Sequence, residues 1–172
     1  MFDKEYSFRG KHAAMVTELT SVLTPPKANN EQTFRNYDVY LLAPIVGFLY
    51  GTRSEKDLGP EATKIFAEIL LRNQDELDFN YRLIMLLDKD YEPDIDKRID
   101  KAFKVHDDVD DIERYESYVR GGIEKLHEKI IQGSVTNEDY MNRLFDFLEE
   151  FDERYNQQID LTQLQELYKK IK

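Results

Sequence analysis

NYDVYLLAPIVGFLYGTR, residues 36 to 53, carries no charged side chain between Val39 and Leu49, in a chain where 34% of residues are charged. A surface helix shows one apolar stripe, whereas a segment apolar on every helical face belongs inside the protein. The stretch therefore predicts a central core helix over about residues 38 to 51. Pro44 removes a backbone donor and predicts a kink, Gly47 leaves room for a second helix or a bend, and Gly51 supplies a left-handed stop.

Working outward, the remaining segments also read as helices. Ser7 is placed to cap a helix that buries Phe8, Met15, Val16, Leu19 and Val22, and Pro25-Pro26 ends it. A polar loop follows, with Phe34 tucked under the domain. Ile65 to Leu71 suits a short helix or an extended segment equally. Asn73 with Glu76 has the form of a capping box before Leu77, Tyr81, Ile84 and Leu87. Pro93 marks a helix start, with Ile95, Ile99 and Phe103 as its apolar stripe, and Asp107 or Asp108 opens a long helix through Ile112, Tyr115, Val119, Ile123 and Ile130, closed by Gly133. Thr136 to Asp139 begins another helix, and Leu161 to Ile171 forms a last one. The expected fold is all-α: a single compact domain over residues 1 to 172, six or seven helices around the buried central helix, with a C-terminal helical hairpin at 134 to 172.

The chain's 172 residues include no cysteine, which removes disulfides, thiol catalysis and thiolate metal sites and fits a reducing cytoplasm. The N-terminus lacks the apolar core of a signal peptide. The longest apolar run is interrupted by Pro44 and falls short of the roughly twenty residues needed to cross a bilayer, so no membrane partner is expected. Net charge is -11, yet residues 1 to 56 hold seven basic and six acidic side chains, leaving -12 for residues 57 to 172. Most of that surface repels a nucleic-acid backbone. Residues 88 to 117 hold twelve acidic and six basic side chains, a density suited to a basic protein partner or to an ordinary solvated face.

Patterns that would carry chemistry fail on spacing. Asp88 to Asp94 begins like a calcium loop, but Pro93 stands where the turn needs glycine and Ile99 where a bidentate glutamate is required. Glu124 and His127 form one Glu-x-x-His unit, while neither His12 nor His106 has the glutamate that a second unit needs. Gly121-Gly122 lacks a phosphate-binding pattern and reads as a close helix contact or a local kink. No catalytic, cofactor-binding or metal-ligating residue is expected, no cofactor is implied, and the chain is not read as an enzyme. The one candidate for phosphate or partner contact is a small basic cluster, Arg9, Lys11 and His12 at the first helix with Arg53 and Lys56 beyond the central one.

The order Phe34, Asp38-Val39, the apolar run, Gly47-Phe48 and Gly51 with Arg53, followed by Ile65-Phe66, Leu87-Asp88 and Tyr118 to Ile123, resembles small helical proteins associated with the bacterial Dnd system of DNA sulfur modification, over about residues 8 to 130. Pro44 departs from the more usual alanine-rich run. The resemblance implies a place in phage defence beside enzymes that make or read phosphorothioate DNA: a non-catalytic accessory or adaptor protein with a protein partner in a modification or restriction complex and at most weak direct contact with DNA. The alternative, suggested by charge, is an acidic inhibitor or DNA mimic seated in a basic cleft.

Overall fold

The central helix finds its partner through glycine. In the computed structural model, which describes residues 2–24, 33–104 and 108–155, α2 (Asn36–Leu49) lies against α6 (Val109–Ile130) in the most extensive pairing of the fold. Gly47 faces the backbone of Tyr118 and Gly122. Gly122 in turn faces the Ala43 carbonyl, and Gly121 the carbonyl of Thr52, each so closely that a Cβ would overlap main-chain atoms. Around this seam the core is completed by Val39, Tyr40 and Val46 of α2 and Tyr115, Val119 and Ile123 of α6, all buried.

Local chemistry fixes the ends of α2. The Asp38 carboxylate accepts from the Arg35 amide at 2.7 Å, closing the first turn. At the other end Gly51 takes φ +64°, its amide donates to Phe48 O, and the Thr52 amide donates to Gly47 O at 2.8 Å. These two bonds make a Schellman stop, which requires the left-handed residue that glycine supplies. The helix continues through Pro44 to Leu49, and Leu42 on its outer face is exposed, so burial covers most of the helix but not every side.

Before α2, the chain departs from the expected helix at Ser7. Residues Tyr6–Arg9 form strand β1, paired antiparallel with β2 (Ala62–Ile65) in the register Tyr6 to Ile65 and Arg9 to Ala62. Ser7 caps nothing. Helix α1 (Gly10–Leu23) starts at Gly10, whose φ of +53° turns strand into helix, and it buries His12, Ala13, Val16 and Leu19. The ambiguous stretch after β2 resolves as both alternatives in turn, extended to Ile65 and helical in α3 (Ala67–Arg72).

Helix α4 (Gln74–Leu87) buries Leu77, Tyr81 and Ile84 as its spacing predicts, but Met85 takes the fourth buried apolar place and Leu87 is exposed. Its expected capping box does not form, because the Glu76 carboxylate accepts from Tyr37 Oη at 2.7 Å and Asn73 bonds back to Ile69 O. Helix α5 (Ile95–Phe103) is capped by Asp94 and packs along α4. Its expected apolar stripe faces outward, however, and the buried residues are Arg98 and Ala102. Arg98 goes inside because its guanidinium donates to the carbonyls of Leu86, Glu92 and Pro93, at 2.9, 2.7 and 2.9 Å, satisfying the turn between the helices.

Asp108 caps α6 through the amides of Asp110 and Asp111, and Gly133, at φ +84°, follows its end. Residues 1–133 form one compact unit and residues 134–172 a second. In the second, Thr136 and Asp139 exchange hydrogen bonds in a capping box that opens α7 (Asn137–Tyr155), with Phe147 buried and Leu148 exposed. The last expected helix, from Leu161, and the loop after Pro25 lie outside the described residues. No helix among the described residues is long and apolar enough to cross a membrane.

Candidate functional site

Helix α6 carries buried charge on both flanks. On one, Asp88 receives a two-pronged bond from Arg114, Nε to Oδ2 at 2.7 Å and Nη2 to Oδ1 at 3.0 Å, with Tyr118 Oη donating at 2.9 Å. The guanidinium lies 5.1 and 5.2 Å from the ring centres of Tyr91 and Tyr118. Burial pushes the Asp88 carboxyl up, but Arg114 and Tyr118 outweigh it and hold it below the usual aspartate range. Tyr91 and Lys101 both donate to Asp111. Of the acids that imitated a calcium loop, Asp88 is held by Arg114 and Asp94 caps α5.

On the other flank the buried acid is Glu116. Tyr6 Oη donates to its Oε2 at 2.5 Å and Tyr40 Oη to its Oε1 at 2.7 Å, and no cation among the described residues reaches salt-bridge distance. Burial raises its pKa, and the two phenols and the field of Arg120 offset this only in part. Arg120, also buried, is committed elsewhere, donating to Ser54 O at 2.8 Å and to Glu113. A cavity of about 380 Å³ opens over this flank. Glu116, Tyr6, Tyr40, His12 and Arg120 line it with polar groups, Phe2, Phe8 and Ile112 with apolar ones.

The five cations singled out in the sequence divide here. Arg9, His12 and Lys56 line the cavity. Lys11 sits beside it with Nζ 2.8 Å from Glu124, and Lys56 pairs with Glu113 at 2.5 Å. His12 Nε2 lies 2.9 Å from Glu124 Oε1, and burial lowers its pKa despite that carboxylate. Arg53 is separate, 5.9 Å from the Tyr118 ring centre on the Asp88 flank. The anion seat at the start of α1 is filled from within: Asp57 accepts from the amides of Lys11 and Gly59, both at 2.8 Å, and these bonds hold its carboxyl below the usual range. Arg9 has no ion pair among the described residues.

The residues that sequence reasoning missed are Glu116, Tyr6, Tyr40 and Arg120. The Glu-x-x-His pair is divided between partners, since Glu124 takes Ser54, Lys11 and His12 while His127 lies 2.7 Å from Glu18. Among the described residues no three His, Asp or Glu side chains converge where a metal ion could sit; His106 lies outside them. No family model, curated protein or solved structure matches the chain.

Proposed function

We propose that this protein is a non-catalytic accessory or adaptor protein of a bacterial DNA modification or restriction system, working by protein contact in the cytoplasm. The observation that carries this reading is the outer face of α4 and α5. Ile95, Ile99 and Phe103 are 52%, 43% and 61% exposed, and Phe79 and Leu87 of α4, the helix that α5 packs along, are exposed as well. Arg82 lies 5.8 Å from the Phe103 ring centre, which ties the two rows together. In a chain of this charge, clustered apolar side chains held outward by regular helices mark a contact surface. Acids outnumber bases two to one from residue 88 to 117, so the occupant is an amphipathic helix of a partner protein with basic flanks. The sequence resemblance supplies the setting, phage defence by phosphorothioation.

The acidic mimic is the weaker reading. Asp88, Asp94, Asp100, Asp108 and Asp111 are each engaged by an Arg, a Lys or a helix amide, so they do not form a free row of phosphate-like charges.

The test is affinity capture from the native host with the wild-type chain, Ile99→Asp and Phe103→Ser. Wild type is expected to retain subunits of a modification or restriction complex and both variants to lose them, with unchanged helical circular dichroism. Equal capture by the variants removes the α4–α5 face from the reading, and capture of a basic nuclease whose DNA binding is blocked turns it to mimicry. If wild type retains no subunit of such a complex, the adaptor reading fails.

A further inference from the structure

The cavity above Glu116 holds a charge imbalance that the fold itself does not use. Four cations line it, Lys4, Arg9, Lys56 and Arg120, and three acids, Glu5, Asp57 and Glu116. Most of these are already matched. Glu5 pairs with Lys64 at 2.7 Å, Asp57 holds two amides, and Lys56 and Arg120 share Glu113. Glu116 accepts from two phenols and lies at salt-bridge distance from none of the cavity's cations. Lys4 and Arg9 are left at the rim with no ion pair among the described residues, although the chain as a whole has 35 acidic side chains to 24 basic ones.

The interior matches a ligand with an apolar body. Phe2 and Phe8 are buried aromatic walls, Ile112 closes a third side, and Leu58, 88% exposed, stands at the mouth. The volume falls within the range of small-molecule sites, roughly 300 to 1,000 Å³. Rim cations repel an amine, and Glu116 already accepts a hydrogen bond on each oxygen.

We propose that this cavity binds a small ligand with an aromatic or aliphatic body and one oxyanion head group, a carboxylate or a phosphate monoester, the head held by Arg9 and Lys4 and the body lodged between Phe2, Phe8 and Ile112. The site is independent of the α4–α5 face and requires no partner protein.

Titration of the full chain with benzoate, phenyl phosphate, inorganic phosphate and benzylamine tests this, followed by calorimetry and by the amide resonances of Gly10, Lys11 and Gly59, which border the cavity. At least one aromatic anion is expected to bind with a Kd of order 1 mM or below, as for a well-seated fragment. Inorganic phosphate should bind about tenfold more weakly, and benzylamine should not compete. Which of the two anions is preferred identifies the head group. The double variant Arg9→Gln with Lys4→Gln changes exposed side chains and should lose about tenfold in affinity at unchanged thermal stability. Leu58→Asp, at the exposed mouth, should weaken binding similarly, whereas Lys104→Gln should not. Absence of saturable binding by both aromatic anions, equal binding of benzylamine, or full affinity in the double variant overturns the proposal.

Discussion

The two flanks of α6 bury the same functional group in opposite ways. Asp88 lies under an arginine fork with a phenol added, and its carboxyl is held in the charged form. Glu116 has two phenols, a distant guanidinium and a cavity above it, and burial pushes it toward neutrality. A buried carboxylate needs a cation at hydrogen-bond distance to remain an ion comfortably. The Asp88 flank is therefore built as a clamp joining α6 to the end of α4, while the Glu116 flank leaves part of its electrostatics open to the cavity.

Both flanks depend on how deeply α6 is seated on α2, so the largest effect should come from the glycine seam. Gly122→Ala drives a Cβ into the Ala43 carbonyl, a main-chain atom that cannot rotate away. A loss of about 3 kcal/mol or more is expected in urea unfolding, at the upper end for overpacked cores. Gly51→Ala separates packing from backbone strain: that position has positive φ but nothing near its Cβ, so the cost should be about 1 kcal/mol. Equal losses would mean that the seam is not close-packed and that the two flanks are not held by a common axle.

Next in size is Arg114→Ala, which strands Asp88 in a buried site. About 3 kcal/mol should be lost at pH 7, the scale for breaking a buried ion pair from one side. The sign with pH follows from Asp88's lowered pKa. Its contribution is present in full above the ordinary aspartate value, near 3.9, and is lost as pH falls through the still lower folded-state value. The gap between wild type and variant should therefore narrow in acid. A gap independent of pH would show that Arg114 acts by packing on Tyr91 and Tyr118 rather than by charge.

How far these regions could be read in advance follows from the range of the interactions. The seam was legible in part, because glycine in an apolar helix and a glycine pair in an amphipathic one each signal close approach or a bend, and only the fold shows the close approach. The stops at Gly51 and Gly133 and the Thr136 box were legible too, since they need only neighbouring residues. The sheet was not: a four-residue strand is too short to show alternation, and its partner lies more than fifty residues away. The stripe of α5 misled because Ile95, Ile99 and Phe103 have helical spacing, yet Arg98 satisfies three carbonyls and so takes the inside. At the cavity the cations Arg9, His12 and Lys56 could be picked out as a cluster. Glu116 could not, since its phenolic partner Tyr6 is separated from it by 110 positions and nothing local distinguishes it from the acids around it.

The smallest effect bears most directly on the difference between the flanks. Glu116→Gln keeps the shape of the side chain and its carbonyl acceptor but removes the charge. Because Glu116's pKa is raised in the folded protein, its contribution to stability is fully present below the unfolded glutamate value, about 4.3, and declines as pH rises through the folded value. Wild type should thus lose ground to the glutamine variant between acid and neutral pH, by an amount of order 1 kcal/mol, since neutralising a buried, unpaired charge in place is neutral to stabilising. This is the reverse of the trend set for Asp88 by Arg114. Urea unfolding of both proteins from pH 4 to 8 reads the difference directly. If wild type instead gains on the variant as pH rises, the two tyrosines and the field of Arg120 stabilise the ion as firmly as the arginine fork stabilises Asp88. Glu116 would then carry a full negative charge into the cavity and offset one of the two rim cations, Lys4 and Arg9, that have no ion pair among the described residues.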